Sequence, residues 1–200
     1  MPRLSPEKFA DEPRLEPADI FLTRGTSLLS RLIRFFSVRI GEKRAMVNHV
    51  GIVVEGGPFH EAIVVEAQRT VLRHRLVDWY GKSDTMVAVY RPINLSEDEM
   101  SVVVHAAESY VGRTYGYFKI ITHALDWFLL GAYVFRRLNI RDNYPICSWV
   151  VAHAYGKADK HFGVHPGAAN PDDIWRFVVS NPEKYKVVRP LELLPKKREE

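Results

Sequence analysis

Cysteine is nearly absent from this chain, and its first residues lack an apolar stretch. The 200 residues include one cysteine, Cys147, so no internal disulfide can form. Residues 1–17 are polar and charged, without the apolar segment of a signal peptide. Both features predict a protein of the reducing cytoplasm. A chain of this length can bury a sizeable core without disulfides or a structural metal.

Internal repeats, low-complexity tracts and linkers rich in glycine, serine or proline are also missing. We therefore expect a polar leader at residues 1–17, a single catalytic domain at 18–190 and a charged tail at 191–200. The formal net charge is only +4, and the tail mixes both signs, which disfavours nucleic-acid binding.

Metal-ligand spacing is absent as well. The candidate ligands would be His153, His161, His165, Asp172 and Asp173, but no tight spacing joins them. The two aspartates are better explained by a helix N-terminus that begins after Asn170. We expect neither a metal nor another cofactor.

The secondary-structure signals predict an α+β protein. Runs of β-branched and aromatic residues predict strands at 18–23, 47–54, 62–67, 71–76, 85–91 and 185–188, with a turn at 77–80. Ser96 and Glu99 form a capping-box pattern that predicts a helix at 96–111. Asn170 and Pro171 predict the start of a last helix that runs through Val179. Consecutive strands of this length favour an antiparallel sheet packed on helices.

Two further apolar segments bear on function. Residues 28–40 have helical periodicity with arginines between the apolar positions, which predicts a basic amphipathic helix. Residues 117–138 are densely apolar but carry charges at both ends. The second segment is either a buried helix, a lid or a helix at a membrane surface.

Cys147 stands where a turn gives way to a helix. The N-terminus of a helix presents unpaired backbone N–H groups and the positive end of the helix dipole. Both stabilise a thiolate, which is the nucleophilic form of cysteine. A nucleophilic Cys147 would need a histidine to share its proton and a third group to orient that histidine.

His49 and Glu66 fit those two roles. They lie on consecutive strands of a predicted hairpin whose turn is centred between Gly57 and Pro58, and this register places them directly opposite each other. Glu66 lies within a β-branched run, where a charge requires a partner. The carboxylate would accept the imidazole N–H while the second ring nitrogen faces the thiol.

These residues lie in five short motifs with a familiar order. The motifs are residues 19–24 (DIFLTR), 48–53 (NHVGIV), 64–67 (VVEA), 112–117 (GRTYGY) and 147–150 (CSWV). In order and spacing they resemble the YiiX-like permuted papain-fold cysteine hydrolases, relatives of NlpC-type peptidoglycan peptidases in which histidine precedes cysteine. The resemblance implies a papain-like, circularly permuted α+β fold with a cysteine-bearing helix packed on an antiparallel sheet.

The resemblance also implies roles for individual residues. Cys147 would be the nucleophile, His49 the general base and Glu66 the orienting residue, with the Cys147 backbone N–H in the oxyanion hole. Tyr115 or Tyr117 either supplies the second oxyanion donor or packs in the core. Independently of the resemblance, Asp19 either closes the edge of the site or marks the start of the first strand.

The leading hypothesis is a thiol hydrolase that cleaves an amide, isopeptide or peptidoglycan-type peptide bond through an acyl-enzyme intermediate. Its partner would be a peptide or a peptidoglycan fragment. One alternative is an acyl-lipid hydrolase or acyltransferase at a membrane surface, as in the lecithin:retinol acyltransferase-like relatives, with peripheral membrane contact through the two apolar segments. Another is a catalytically silent module that binds a peptide or glycan.

Overall fold

A computed structural model describes residues 6–26, 45–81, 83–114 and 146–195, and within them an α+β architecture is confirmed. The strands form an antiparallel sheet in the order β4-β3-β2-β1-β5-β6. Their bounds are β1 (Ile20–Arg24), β2 (His49–Glu55), β3 (Ile63–Ala67), β4 (Val71–Arg75), β5 (Met86–Pro92) and β6 (Tyr185–Leu193).

Two of the four described helices begin where the capping signals predict. Their bounds are α1 (Leu76–Tyr80), α2 (Glu97–Glu108), α3 (Cys147–Gly156) and α4 (Pro171–Ser180), with short 3-10 turns at Pro6–Phe9 and Pro166–Ala168. The capping box of Ser96 and Glu99 is present at the start of α2. Asn170 and Asp173 form a second capping box at the start of α4, where the carboxylate accepts a backbone N–H.

The sheet separates two hydrophobic clusters. One face, which includes Val50 and Ile52, packs against apolar residues of α2, α3 and α4. The other face, which includes Val53 and Val64, is covered by α1 and by residues from the N-terminal segment. Successive side chains point to opposite faces of the sheet, so residues two apart on one strand belong to the same face.

Three predicted elements differ from those observed. Residues 76–80 form a helical turn, α1, rather than a turn that follows a strand through Leu76. Strand β6 continues to Leu193 and is longer than the strand predicted at 185–188. Phe9 and Leu15, in the expected leader, are buried against the sheet. The leader and the sheet therefore share a core.

The segments 28–40 and 117–138 lie outside the described residues. Within the described ranges, no helix combines the length and the apolar character needed to cross a membrane.

Candidate functional site

Cys147 is the first residue of α3, as predicted. Ile146 before it is extended, and its carbonyl accepts the Val150 N–H at 3.0 Å to close the first turn. The N–H groups of Cys147, Ser148 and Trp149 have no acceptor within the helix, because the residues four positions earlier precede it. The cysteine is 5 % exposed, which shelters it from bulk water.

His49 is the first residue of β2 and pairs with Thr23 of β1. The chain that leads into it is anchored, because Asp172 at the start of α4 accepts the backbone N–H of Met46 at 2.6 Å and of Val47 at 3.3 Å. His49 lies at the end of β2. Helix α3 packs on the face of the sheet that includes Val50 and Ile52. It can therefore present Cys147 to the imidazole ring past the end of the strand.

Glu66 meets His49, but not through the predicted register. The Nε2 atom of His49 lies 2.5 Å from Oε2 of Glu66. In the hairpin, Ile52 pairs with Val65, and continuing that register sets Glu66 beside Gly51 rather than opposite His49. The predicted register is wrong by two residues. A shift of two keeps a side chain on the same face, so the pair forms as diagonal neighbours.

Gly51 makes room for this arrangement. A Cβ atom there would lie 2.4 Å from the Phe21 ring and 2.8 Å from the Val65 carbonyl oxygen, both closer than real atoms approach. The Phe21 ring instead lies over the glycine, with ring centroids 6.4 Å from His49 and 5.8 Å from Tyr80. An apolar wall thus borders the contact between His49 and Glu66.

Four side chains surround the Glu66 carboxylate, which is fully buried. Oε2 lies 2.5 Å from His49 and accepts the Tyr80 hydroxyl at 2.5 Å. Oε1 lies 2.8 Å from Nε2 of His74 and accepts the Gln68 amide at 3.3 Å. A buried carboxylate is costly unless donors compensate it, and here both oxygens are satisfied.

The His49 ring contacts two partners. Its Nε2 atom faces Glu66, and the ring also makes a side-chain hydrogen bond with Cys147. Burial by itself lowers the pKa of His49, but the negative charges of Cys147 and Glu66, with the hydrogen bonds to both, raise it to about 10. The imidazole is therefore a strong proton acceptor.

The groups around Glu66 respond to the same charge. Burial raises the pKa of Glu66, but the charge and hydrogen bond of His49 and the bond from His74 bring it well below its ordinary value. Burial lowers the pKa of His74, but its bond to Glu66 brings the net value above the ordinary one. Burial and the Glu66 charge raise the pKa of Tyr80, so its hydroxyl stays protonated and donates.

Asp19 lies away from this cluster. Its buried carboxylate accepts Nε and Nη2 of Arg91, each at 2.7 Å, and the Glu16 backbone N–H at 2.8 Å. His49 pairs with Thr23, so Asp19 is four residues along the chain from the His49 position, about 13 Å at strand spacing. The structure does not bring Asp19 to the site. Tyr115 and Tyr117 lie outside the described residues.

We expect Asp19→Asn to lower the free energy of unfolding by about 2 kcal/mol, because Arg91 loses the charge that its guanidinium pairs with. The rate of Cys147 alkylation should stay at the wild-type value. Urea denaturation and iodoacetamide labelling measure the two quantities, and Asp11→Asn is the control because Asp11 is exposed. A loss of Cys147 reactivity in Asp19→Asn at unchanged stability would mean that Asp19 acts on the site after all.

His74 and Tyr80 were not among the predicted site residues. A signal for His74 exists in the sequence, since the short connection between β3 and β4 pairs Val64 with His74 and so sets the histidine on the same face as Glu66. Tyr80 has no such signal. It reaches the carboxylate because α1 folds back over this face of the sheet.

The cluster combines a sheltered thiol, an imidazole and an orienting carboxylate. No family model matches the chain, and no curated protein matches it either. Among the described residues, no group of three or more histidine, cysteine or acidic side chains is arranged to bind a metal. The chemistry available to Cys147, His49 and Glu66 is that of a thiol nucleophile whose proton passes to an oriented base.

Proposed function

We propose that the protein is a cysteine hydrolase that cleaves amide bonds through an acyl-enzyme intermediate. The observation that carries the proposal is the position of His49, which is hydrogen-bonded both to Cys147 and to the buried Glu66. A nucleophile, a base and a group that orients the base are the parts this reaction needs.

The proposed reaction begins when His49 takes the proton of the Cys147 thiol. The thiolate forms an Sγ–C bond to the substrate carbonyl, and the Cys147 backbone N–H donates to the oxygen that becomes negative. The C–N bond then breaks as His49 returns its proton to the amine. His49 next takes a proton from water as the water oxygen attacks the thioester carbonyl. The C–S bond breaks, the proton passes from His49 to Sγ so that the Cys147 thiol is regenerated, and the carboxylic acid is released. Glu66 keeps His49 in one orientation throughout.

We further propose a permuted papain-like fold related to the YiiX-like hydrolases. Helix α3 begins with the cysteine and packs on an antiparallel sheet, and the histidine and glutamate precede the cysteine in the chain. Peptides, isopeptides and peptidoglycan fragments are the substrate classes that this relationship favours.

The proposal is tested with p-nitrophenyl acetate and intact-mass spectrometry. Wild-type protein should release a burst of p-nitrophenol and carry one acetyl group, mapped to Cys147, whereas Cys147→Ala should show neither. Ser148→Ala is the matched control, because Ser148 is the adjacent buried residue and donates to the Ala169 carbonyl at 2.7 Å. It should keep the burst.

A panel of fluorogenic peptide, isopeptide and muramyl-peptide amides then identifies the bond that is cleaved. Turnover of any member should disappear in Cys147→Ala. A burst of equal size in that variant would contradict a thiol nucleophile.

A further inference from the structure

His74 makes a contact with the site that the reaction above does not use. Its Nε2 atom lies 2.8 Å from Oε1 of Glu66, the carboxylate oxygen that His49 does not contact. His49 of β2 and His74 of β4 thus share the buried carboxylate of Glu66, which belongs to β3, the strand between them. The His74 side chain is 13 % exposed, so the contact is sheltered from water.

The hydrogen bonds of His74 define its protonation. Nδ1 lies 2.9 Å from the Arg75 carbonyl oxygen, which can only accept, so Nδ1 carries a proton. Nε2 faces an ionised carboxylate, which also only accepts, so Nε2 carries a proton as well. A ring that donates from both nitrogens is an imidazolium.

The surroundings of His74 favour that cation. The exposed Trp79 of α1 packs on its ring, with centroids 5.3 Å apart, a distance at which an indole attracts a positive charge. Asp78 from the same helix adds a second negative charge, although it also pairs with Arg75 at 3.2 Å. The charges of Glu66 and Asp78 both raise the pKa of His74.

The charge of His74 matters most after Cys147 has been acylated. A thioester carries no charge, so the contribution of Cys147 to the proton affinity of His49 is then lost. The negative charge of Glu66 remains. If His74 were neutral, nothing would offset that charge, and Glu66 would keep His49 protonated. A protonated imidazole cannot accept a proton from the attacking water.

We propose that His74 is a second positioning residue of this site, a cation that offsets the charge of Glu66 and so lets His49 act as the base that activates water. The inference rests on the proposed function. It predicts a specific split, in which loss of the His74 charge slows deacylation but leaves acylation intact.

His74→Gln tests the split, because glutamine keeps a hydrogen-bond donor and removes the charge. With p-nitrophenyl acetate at pH 7, we expect an unchanged burst and a steady-state rate about tenfold lower, with acetylated Cys147 accumulating. The tenfold effect corresponds to a rise of about one pH unit in the protonation midpoint of His49. His161→Gln, which removes an exposed histidine, should match wild type in both phases.

A second measurement does not depend on turnover. In the Cys147→Ala background, which removes the thiolate charge, imidazole nitrogen NMR should show both His74 nitrogens protonated at pH 7. Adding His74→Gln should raise the midpoint of His49 by about one unit, and a further Glu66→Gln change should abolish that rise.

The outcomes separate the two proposals. No burst in wild type, with a cationic His74 that shifts the His49 midpoint, would overturn the hydrolase and leave the charge coupling standing. A neutral His74, or a His74→Gln protein with a lower melting temperature but unchanged deacylation and His49 midpoint, would overturn the role of His74.

Discussion

Glu66→Gln is expected to lower the free energy of unfolding by about 3 kcal/mol at pH 6, because it breaks a buried charged cluster by removing one partner. The wild-type carboxylate accepts from His49, His74, Tyr80 and Gln68. The amide of glutamine can accept through only one atom, and its NH₂ group would face donors. At least one buried donor then loses its acceptor.

The size of this loss should depend on pH. The pKa of Glu66 is depressed by folding, so its contribution is present above the unfolded value of about 4.3 and is lost as the pH falls. The pKa of His74 is raised by folding, so its contribution is complete below the unfolded value of about 6.5 and is lost as the pH rises. The difference between wild type and variant should therefore peak between about pH 5 and 6.5.

Urea denaturation at pH 4, 6 and 9 measures this difference. Glu61→Gln is the matched control, because Glu61 is 64 % exposed and its loss should cost less than about 0.5 kcal/mol. A Glu66→Gln protein as stable as wild type at pH 6 would show that the carboxylate is not the charged centre of the cluster.

His49→Gln is expected to reduce the p-nitrophenol burst rate by about a hundredfold or more at pH 7, within the range that general acid–base catalysis contributes. Glutamine can still contact Glu66, but it cannot take the proton of Cys147. The thiol then reacts only through the small thiolate fraction that it forms unaided.

Stopped-flow absorbance measures the burst rate, and His105→Gln is the matched control, because His105 is exposed on α2. The control should retain the wild-type rate. A His49→Gln burst within a factor of three of wild type would mean that another group serves as the base.

Local signals in the sequence were sufficient for much of the fold and for the expectation that Cys147, His49 and Glu66 lie together, as they do in the structure. β-branched runs mark the strands because such side chains fit a pleated surface, and the capping residues Ser96 and Asn170 mark two helix starts. The cost of burying Glu66 alone required a partner, and the structure supplies His49. These inferences depend on chemistry that acts over a few residues.

The details set by longer-range packing were not predictable in the same way. The hairpin register differs by two because the turn between Glu55 and Ile63 is centred at Phe59, beyond the expected centre between Gly57 and Pro58, and because the ladder shifts by one residue between Val53 and Glu55. Tyr80 joins the cluster only because α1 packs over the sheet. The second partner of Glu66, His74, follows from the β3–β4 register. The face of the sheet on which a side chain lies is thus easier to infer from the sequence than its exact cross-strand partner.

The central claim is that His49 accepts the proton of Cys147, and alkylation of Cys147 by iodoacetamide across pH 5 to 10 tests it most directly. The chain has one cysteine, so the signal is unambiguous, and a small reagent suits a side chain that is 5 % exposed. The reference is the same protein unfolded in urea, because a free thiol is almost entirely protonated at pH 6. We predict that folded wild type retains much of its alkylation rate at pH 6 and that His49→Gln loses at least about tenfold of it. A folded thiol that follows the unfolded profile, with or without His49, would contradict the account.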